Sequence, residues 1–302
     1  YGRNCLASLA KLAIGRQAYF SDDDVLFRRY LLQLLGLGRI ECITSIAGLG
    51  EGAGSHALMA MRAQRFARRF GLTYVHTPLS DIHHADRPAR DWDAAWEALF
   101  NLGAGEARSG RDPVNYALTL ADLHTLFGLD VDPDTGFEET LLRDFRRKYR
   151  VGKPPRPVPP PLRVGVHLRQ RNAHDFHSDD VADLPRLART IAEVRTALDR
   201  TGRPYRLQVF SQGPPATFDG LGVPRDCLNL DTDAVEAMAR LVDSDLLVVS
   251  GGTFSHVAGL LCDGIVLADA TTQPRALPHW LTYDAAGGID AEALAGALRS
   301  AA

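Results

Sequence analysis

Residues 164–180 read Val-Gly-Val-His-Leu-Arg-Gln-Arg-Asn-Ala-His-Asp-Phe-His-Ser-Asp-Asp, crowding two arginines, three histidines and three aspartates onto the end of an apolar run. That mixture can hold a phosphate or move a proton; a solvated loop after an ordinary strand is the plain alternative. Arg169 lies two residues beyond His167, so in an extended strand end both side chains point to the same side. An arginine there can grip a phosphate through two N–H donors, with about 1.5–3 kcal/mol for a charge-assisted bond. His174, His177, Asp179 and Asp180 are metal-ligating residue types, but no glutamate completes a hydrolytic metal motif. A polar loop at the mouth of a cleft is expected, and no metal site is assigned.

Three further stretches carry chemistry. Gly48-Leu-Gly-Glu-Gly-Ala-Gly54 places four glycines in seven positions, between a strand pattern at 40–46 and a helical pattern at 55–70. Strand, glycine loop and helix N-terminus together make an anion or backbone-approach site. The dinucleotide fingerprint G-x-G-x-x-G is met imperfectly, with Ser55 at its third position and no acid closing the next strand, which ends His76-Thr77-Pro78. No Gly-Lys-Ser/Thr occurs, which excludes a P-loop. A turn required only by chain geometry is one reading; four glycines are better explained by a loop that lies against a ligand.

In Ser250-Gly-Gly-Thr-Phe-Ser-His-Val-Ala-Gly259 a strand delivers Ser250 into a sharp turn, and a helix is expected to begin near Ser255. Thr253 and Ser255 can cap it, with or without a ligand, and its free amides favour a negative group. A nucleophile elbow around Ser255 would need glycine at 253 and 257, where the chain has Thr and Val; this argues against a serine hydrolase. Ser80-Asp-Ile-His-His-Ala-Asp86 is the polar cluster after the earlier strand. His83 and His84 are suited to acid or base work near neutral pH, with an exposed loop as the alternative.

These residues need elements to position them. Short apolar strands at 162–167, 205–211, 227–230, 246–250 and 264–267 alternate with helices at 183–200, 233–242 and 255–262. This predicts a mostly parallel, Rossmann-like sheet with covered faces. Strands at 40–46 and 72–76 around the helix at 55–70 repeat the theme, that helix burying Met59, Ala63, Phe66 and Phe70, with Arg62, Arg65 and Arg69 as a solvated stripe. Residues 1–38 read as a helical extension without assigned chemistry. Lys153-Pro-Pro-Arg-Pro-Val-Pro-Pro-Pro161 holds six prolines in nine residues, a stiff spacer of roughly 28 Å at about 3.1 Å per residue. It is expected to separate an N-terminal α/β domain (1–152) from a C-terminal one (162–302), with a ligand cleft between them at the strands' C-terminal ends.

Composition narrows the function. The 302 residues are 45% hydrophobic and 24% charged with net charge −3, typical of a globular protein and without a bulk case for nucleic acid or an anionic membrane. No apolar run approaches the roughly 20 residues of a membrane span. Cys5, Cys42, Cys227 and Cys262 form no CxxC pair, which points to a reducing compartment and a cytoplasmic location.

Three of these motifs, in this order across two α/β domains, resemble the fucosyltransferase superfamily of GT-B glycosyltransferases, which includes the α1,6- and nodulation enzymes, the bacterial α1,2 enzymes and the protein O-fucosyltransferases. Gly50-Glu-Gly-Ala-Gly-Ser-His-Ala-Leu, followed by the Arg-rich helix and Gly71-Leu-Thr-Tyr-Val-His, resembles its N-terminal glycine loop. Val166-His-Leu-Arg169 resembles its His-x-Arg-Arg-x-Asp signature, and Asp243-Ser-Asp-Leu-Leu-Val-Val-Ser-Gly-Gly-Thr-Phe-Ser-His its strand ending in Ser-Thr-Phe-Ser. The departures are Gln170 in place of the second arginine, Arg171 one place late, and Asn172 for the aspartate. A one-residue shift in an extended segment reverses side-chain direction, so Arg171 does not simply substitute.

The resemblance implies a GT-B fold, two Rossmann-like domains facing each other across a cleft. It implies an inverting, metal-independent transfer of sugar from a nucleotide donor, GDP-fucose in the family, to a glycan or protein hydroxyl, with no cofactor. His167, Arg169, Arg171, Ser211, Thr253, Phe254 and Ser255 fall at the nucleotide, with Glu236 as the base-reading acid; Glu51, then His83, are the candidate bases. UDP-, dTDP- or other GDP-sugars, an epimerase, and a non-catalytic glycan-binding relative are the alternatives.

Overall fold

The computed structural model describes residues 42–45, 51–83, 88–108, 137–156, 160–170 and 182–300. Expectations for residues 1–38, most of the glycine loop, His84, Arg171 and the His/Asp run at 174–180 lie outside them. The chain forms two compact units, Tyr1–Pro133 and Asp134–Ala302, and both are α/β.

In the first unit, strands β1 (Cys42–Ile43), β2 (Thr73–His76) and β3 (Ala107–Arg108) form a parallel sheet with β2 in the middle. Helix α1 (Ala53–Phe70) starts after Gly52 and ends at Gly71, which has φ 65°. Its buried face carries Ala57, Leu58, Met61, Ala63, Phe66 and Ala67. Met59 is only half-buried, as are Arg62 and Arg65, so the expected arginine stripe is solvated fully only at its C-terminal end. Helix α2 (Ala89–Phe100) places Trp92, Trp96 and Phe100 at i, i+4, i+8, where the rings meet edge-on at 5.4 Å and stacked at 5.3 Å.

The second unit begins earlier than the proline segment. Helix α3 (Glu139–Arg150) buries Leu141, Leu142, Phe145 and Tyr149. It belongs with this unit because Arg150 pairs with Asp243 at 2.6 Å and Arg146 Nε donates to the Leu260 carbonyl at 3.2 Å. Arg156, inside the proline segment, bonds the Ser244 carbonyl at 2.7 Å and the Asp245 carboxylate. Asp245 also takes Arg163 Nε at 3.1 Å. Burial alone would raise the Asp245 carboxyl; its bonds to Arg163 and the Arg156 charge outweigh that and hold it below the usual carboxylate range.

Strands β4 (Leu162–His167), β5 (Tyr205–Ser211), β6 (Leu228–Leu230), β7 (Leu246–Val249), β8 (Ile265–Asp269) and β9 (Leu281–Tyr283) form one sheet in the order β6-β5-β4-β7-β8-β9, every pairing parallel. This is the doubly wound order, whose direction of winding reverses between β4 and β7. Helix α4 (Leu184–Thr201) is capped by the Asp183 carboxylate on Arg186 N–H at 3.1 Å and stops at Gly202. It seats Leu187, Ile191, Val194 and Leu198 on Val164, Val166, Leu207 and Val248, each fully buried side chain contributing about 1.5–3 kcal/mol. Helices α5 (Ala234–Val242), α6 (Gly252–Leu261) and α7 (Ala291–Ser300) complete the unit. No helix among the described residues is long and apolar enough to cross a membrane.

Helix α6 begins three residues before the expected start at Ser255. Gly251 and Gly252 take φ of 102° and 77°, which lets the chain turn from strand into helix without a capping side chain. Ser255 therefore sits within the first turn and returns its hydroxyl to the Gly251 carbonyl at 2.7 Å.

Candidate functional site

At the C-terminal edge of the second unit's sheet, β4 and β7 lie side by side, with His167 opposite Val249. The segments leaving these strands are tied together: Ser250 Oγ donates to the His167 carbonyl at 2.8 Å and accepts from Arg169 N–H at 3.4 Å. Leu168 is pinned on the other side by Phe210, and by the Ser211 hydroxyl, which donates to its carbonyl at 2.8 Å. Strand pairing thus continues past His167 and fixes the direction of Arg169.

That direction brings Arg169 to the first residue of α6. A methyl group placed on Gly252 would lie 3.0 Å from Arg169 Nη1, so the guanidinium rests close against the helix start. Cation and helix N-terminus both favour a negative group. The ring of His167 packs on Phe254, centroids 5.0 Å apart, and its Nδ1 lacks a hydrogen-bond partner. Burial, and secondarily Arg169, pushes the His167 imidazole down to about 4. It is a neutral donor-acceptor at physiological pH. A guanidinium, a helix N-terminus and a neutral imidazole at a winding reversal suit a phosphate or diphosphate.

The other expected residues of this unit are placed less directly. Thr253 is half-buried in the first turn of α6, whereas Ser255 is fully buried and bonded back to the helix. Ser211 acts on the Leu168 carbonyl. Glu236 is exposed on the first turn of α5, 3.4 Å from Arg240, whose guanidinium lies 4.9 Å over the Phe210 ring.

In the first unit, two candidates from distant stretches come together. His83 N–H donates to the Glu51 carbonyl at 3.0 Å, and both residues are exposed. The loop that presents His83 is held by Asp93, whose carboxylate oxygens accept from Asp81 N–H at 2.9 Å and Ile82 N–H at 3.1 Å. Asp81 itself has φ 57°, a conformation costly for a residue other than glycine. His56, which sequence reasoning missed, is 1% exposed on α1 and neither of its ring nitrogens has a partner. Burial lowers its pKa, against the opposing pull of Asp93, Asp81 and Glu51. Its place one residue after Ser55 in a glycine-led helix was the only signal available. Among the described residues no group of three or more His, Cys, Asp and Glu is placed to hold a metal ion.

No protein-family profile and no curated protein sequence matches this chain. Among solved structures, the E. coli heptosyltransferase WaaC with ADP aligns at 12% identity and a TM-score of 0.40, over 87% of this chain and all of that one. The NodZ α-1,6-fucosyltransferase soaked with GDP-fucose aligns at 14% identity and 0.31, over 82% and 97%. WaaG, a glycosyltransferase involved in lipopolysaccharide biosynthesis, aligns at 12% identity and 0.28, over 94% and 88%.

Proposed function

We propose that this protein is a GT-B glycosyltransferase that moves a sugar, fucose from GDP-fucose, onto a hydroxyl of a glycan or protein with inversion at the anomeric carbon and without a metal. The observation that carries the reading is Arg169 set against Gly252 at the start of α6, where the winding of the sheet reverses. In this reading the bond from the anomeric carbon to the diphosphate breaks and its electron pair leaves with the diphosphate. Arg169 and the α6 amides, beside Thr253 and Phe254, stabilise that growing charge, the role a metal has elsewhere. The acceptor oxygen bonds to the opposite face of an oxocarbenium-like centre. Glu51, or else His83, is the proposed base for its proton; the His83 backbone N–H donates to the Glu51 carbonyl.

Arg169 and a helix N-terminus read a diphosphate rather than a base, so the same geometry also serves another nucleotide sugar. Isothermal titration with GDP, UDP, dTDP and CMP, with and without EDTA, separates these. We expect EDTA-insensitive GDP binding that Arg169→Ala weakens by roughly 10- to 150-fold, equivalent to about 1.5–3 kcal/mol. Tight binding of UDP or dTDP would replace the donor and keep the reaction class. Failure of every nucleotide to bind would remove the transferase reading and leave a glycan-binding relative.

A further inference from the structure

Arg169 reaches α6 from a stretch of chain just past the end of β4, and every backbone polar group from the His167 carbonyl to the Arg169 carbonyl has a partner. Toward β5, Leu168 N–H donates to the Phe210 carbonyl at 3.0 Å, and the Leu168 carbonyl accepts from the Ser211 hydroxyl at 2.8 Å. Toward β7, the His167 carbonyl and Arg169 N–H both meet Ser250 Oγ, at 2.8 and 3.4 Å. The Arg169 carbonyl accepts from Ala182 N–H at 2.9 Å.

Ser250 differs from the other partners in what it replaces. Strand β7 stops pairing with β4 at Val249, because Gly251 and Gly252 turn the chain into α6 with φ of 102° and 77°. The backbone that would have continued the ladder bends away where the Arg169 segment needs it. A hydroxyl can donate and accept through one atom, so Ser250, 9% exposed, spans the gap with its side chain. The turn is held from the far side as well: Gly252 N–H donates to the Gln273 carbonyl at 3.2 Å, and a methyl group on Gly251 would lie 2.9 Å from Thr272 Oγ1. Ser250 thus joins two anchored segments, one carrying the cation and one carrying the helix start.

We propose that Ser250 is a positioning residue, whose hydroxyl sets the spacing between the Arg169 guanidinium and the first turn of α6 and so the affinity for the diphosphate. The inference rests on the transfer reading and adds to it a residue that acts through Arg169 rather than on the ligand. Its test is a double-mutant cycle on the intact chain, read as the Kd for GDP by isothermal titration and as the melting temperature. Ser250→Ala should weaken GDP binding about tenfold in the wild-type background and less than about twofold beside Arg169→Ala, with the same fall in melting temperature in both. Should Ser250→Ala fail to fold, Ser250→Cys, close in size but a weak donor and acceptor, runs the same cycle and should show the same pattern with a smaller amplitude. Equal weakening in both backgrounds, or a lower melting temperature with GDP affinity unchanged, would mean that Ser250 only satisfies buried backbone groups. Either result would overturn the inference while leaving the transfer reading intact. A wild-type protein that does not bind GDP would remove both.

Discussion

The two units each start a helix at glycine without a side-chain cap and charge it oppositely. Each runs from a parallel strand through glycine into a helix that carries a Ser-His pair in its first turns, Ser55-His56 on α1 and Ser255-His256 on α6. At α6 an arginine meets the glycine, and the histidine is packed away, its ring 5.1 Å from Trp280. At α1 a carboxylate, Glu51, precedes the helix, and the histidine sits unpartnered within the field of Asp93, Asp81 and Glu51. A helix N-terminus favours anions by a few tenths to about 1 kcal/mol; an added guanidinium strengthens that preference and nearby carboxylates cancel it. One supersecondary unit can therefore serve a diphosphate in one place and a hydroxyl or proton in another.

The sharpest way to break this comparison is to exchange the roles by single substitutions and titrate GDP. Gly252→Ala adds a methyl at positive φ, 3.0 Å from Arg169 Nη1, and should weaken GDP binding roughly tenfold, about 1.4 kcal/mol. Glu51→Gln should leave the GDP Kd within about twofold. Equal effects from both would mean that the first unit also binds the diphosphate.

Next in size is the acid limb of stability. His167 is held near 4 in the folded chain against an ordinary 6.5, so the unfolded chain takes up the proton first. Its contribution is complete above about pH 6.5 and lost as pH falls toward 4, by at most about 1.4 kcal/mol per unit. Denaturant unfolding of His167→Phe, compared with wild type at about pH 7.5 and about pH 5, should show a shallower loss. An unchanged acid limb would mean that His167 is not buried neutral.

The smallest effect separates the two Ser-His pairs. His56→Leu should stabilise by about 0.5–1.5 kcal/mol, because it removes two unpartnered buried nitrogens. His256→Leu should destabilise by a similar amount, about 0.5–1.5 kcal/mol, by losing its ring contact with Trp280. Melting curves that moved together would erase the distinction.

Much of the second unit was legible in residue order. The strand at 205–211 was expected with its observed bounds, and the helix expected at 183–200 is α4, Leu184–Thr201. The proline segment misled: prolines mark a stiff stretch but not what it adheres to, and Arg156 ties this one to Asp245. Helix α6 started early because two positive-φ glycines replaced the expected serine cap. Glu97 lies in no motif, because it matters only through His76 and Leu79, distant from it along the chain; His56 and Tyr74 lie inside the quoted glycine-loop stretches, but nothing in residue order marks them as buried.

What the sequence determined by itself was local: the alternation of strand and helix, the glycine turns, and the arginine two residues past a strand's last histidine. Periodicity and backbone stereochemistry act over a few residues and can be read in order. The tertiary structure decided which strand ends became neighbours. It set Arg169 against Gly252 because β4 and β7 pair across a stretch of about eighty residues, a choice set by burying both faces of the sheet. It likewise hydrogen-bonded the buried Ser45, Tyr74 and His76 in a row to the partly exposed Glu97, where packing keeps water from the first three.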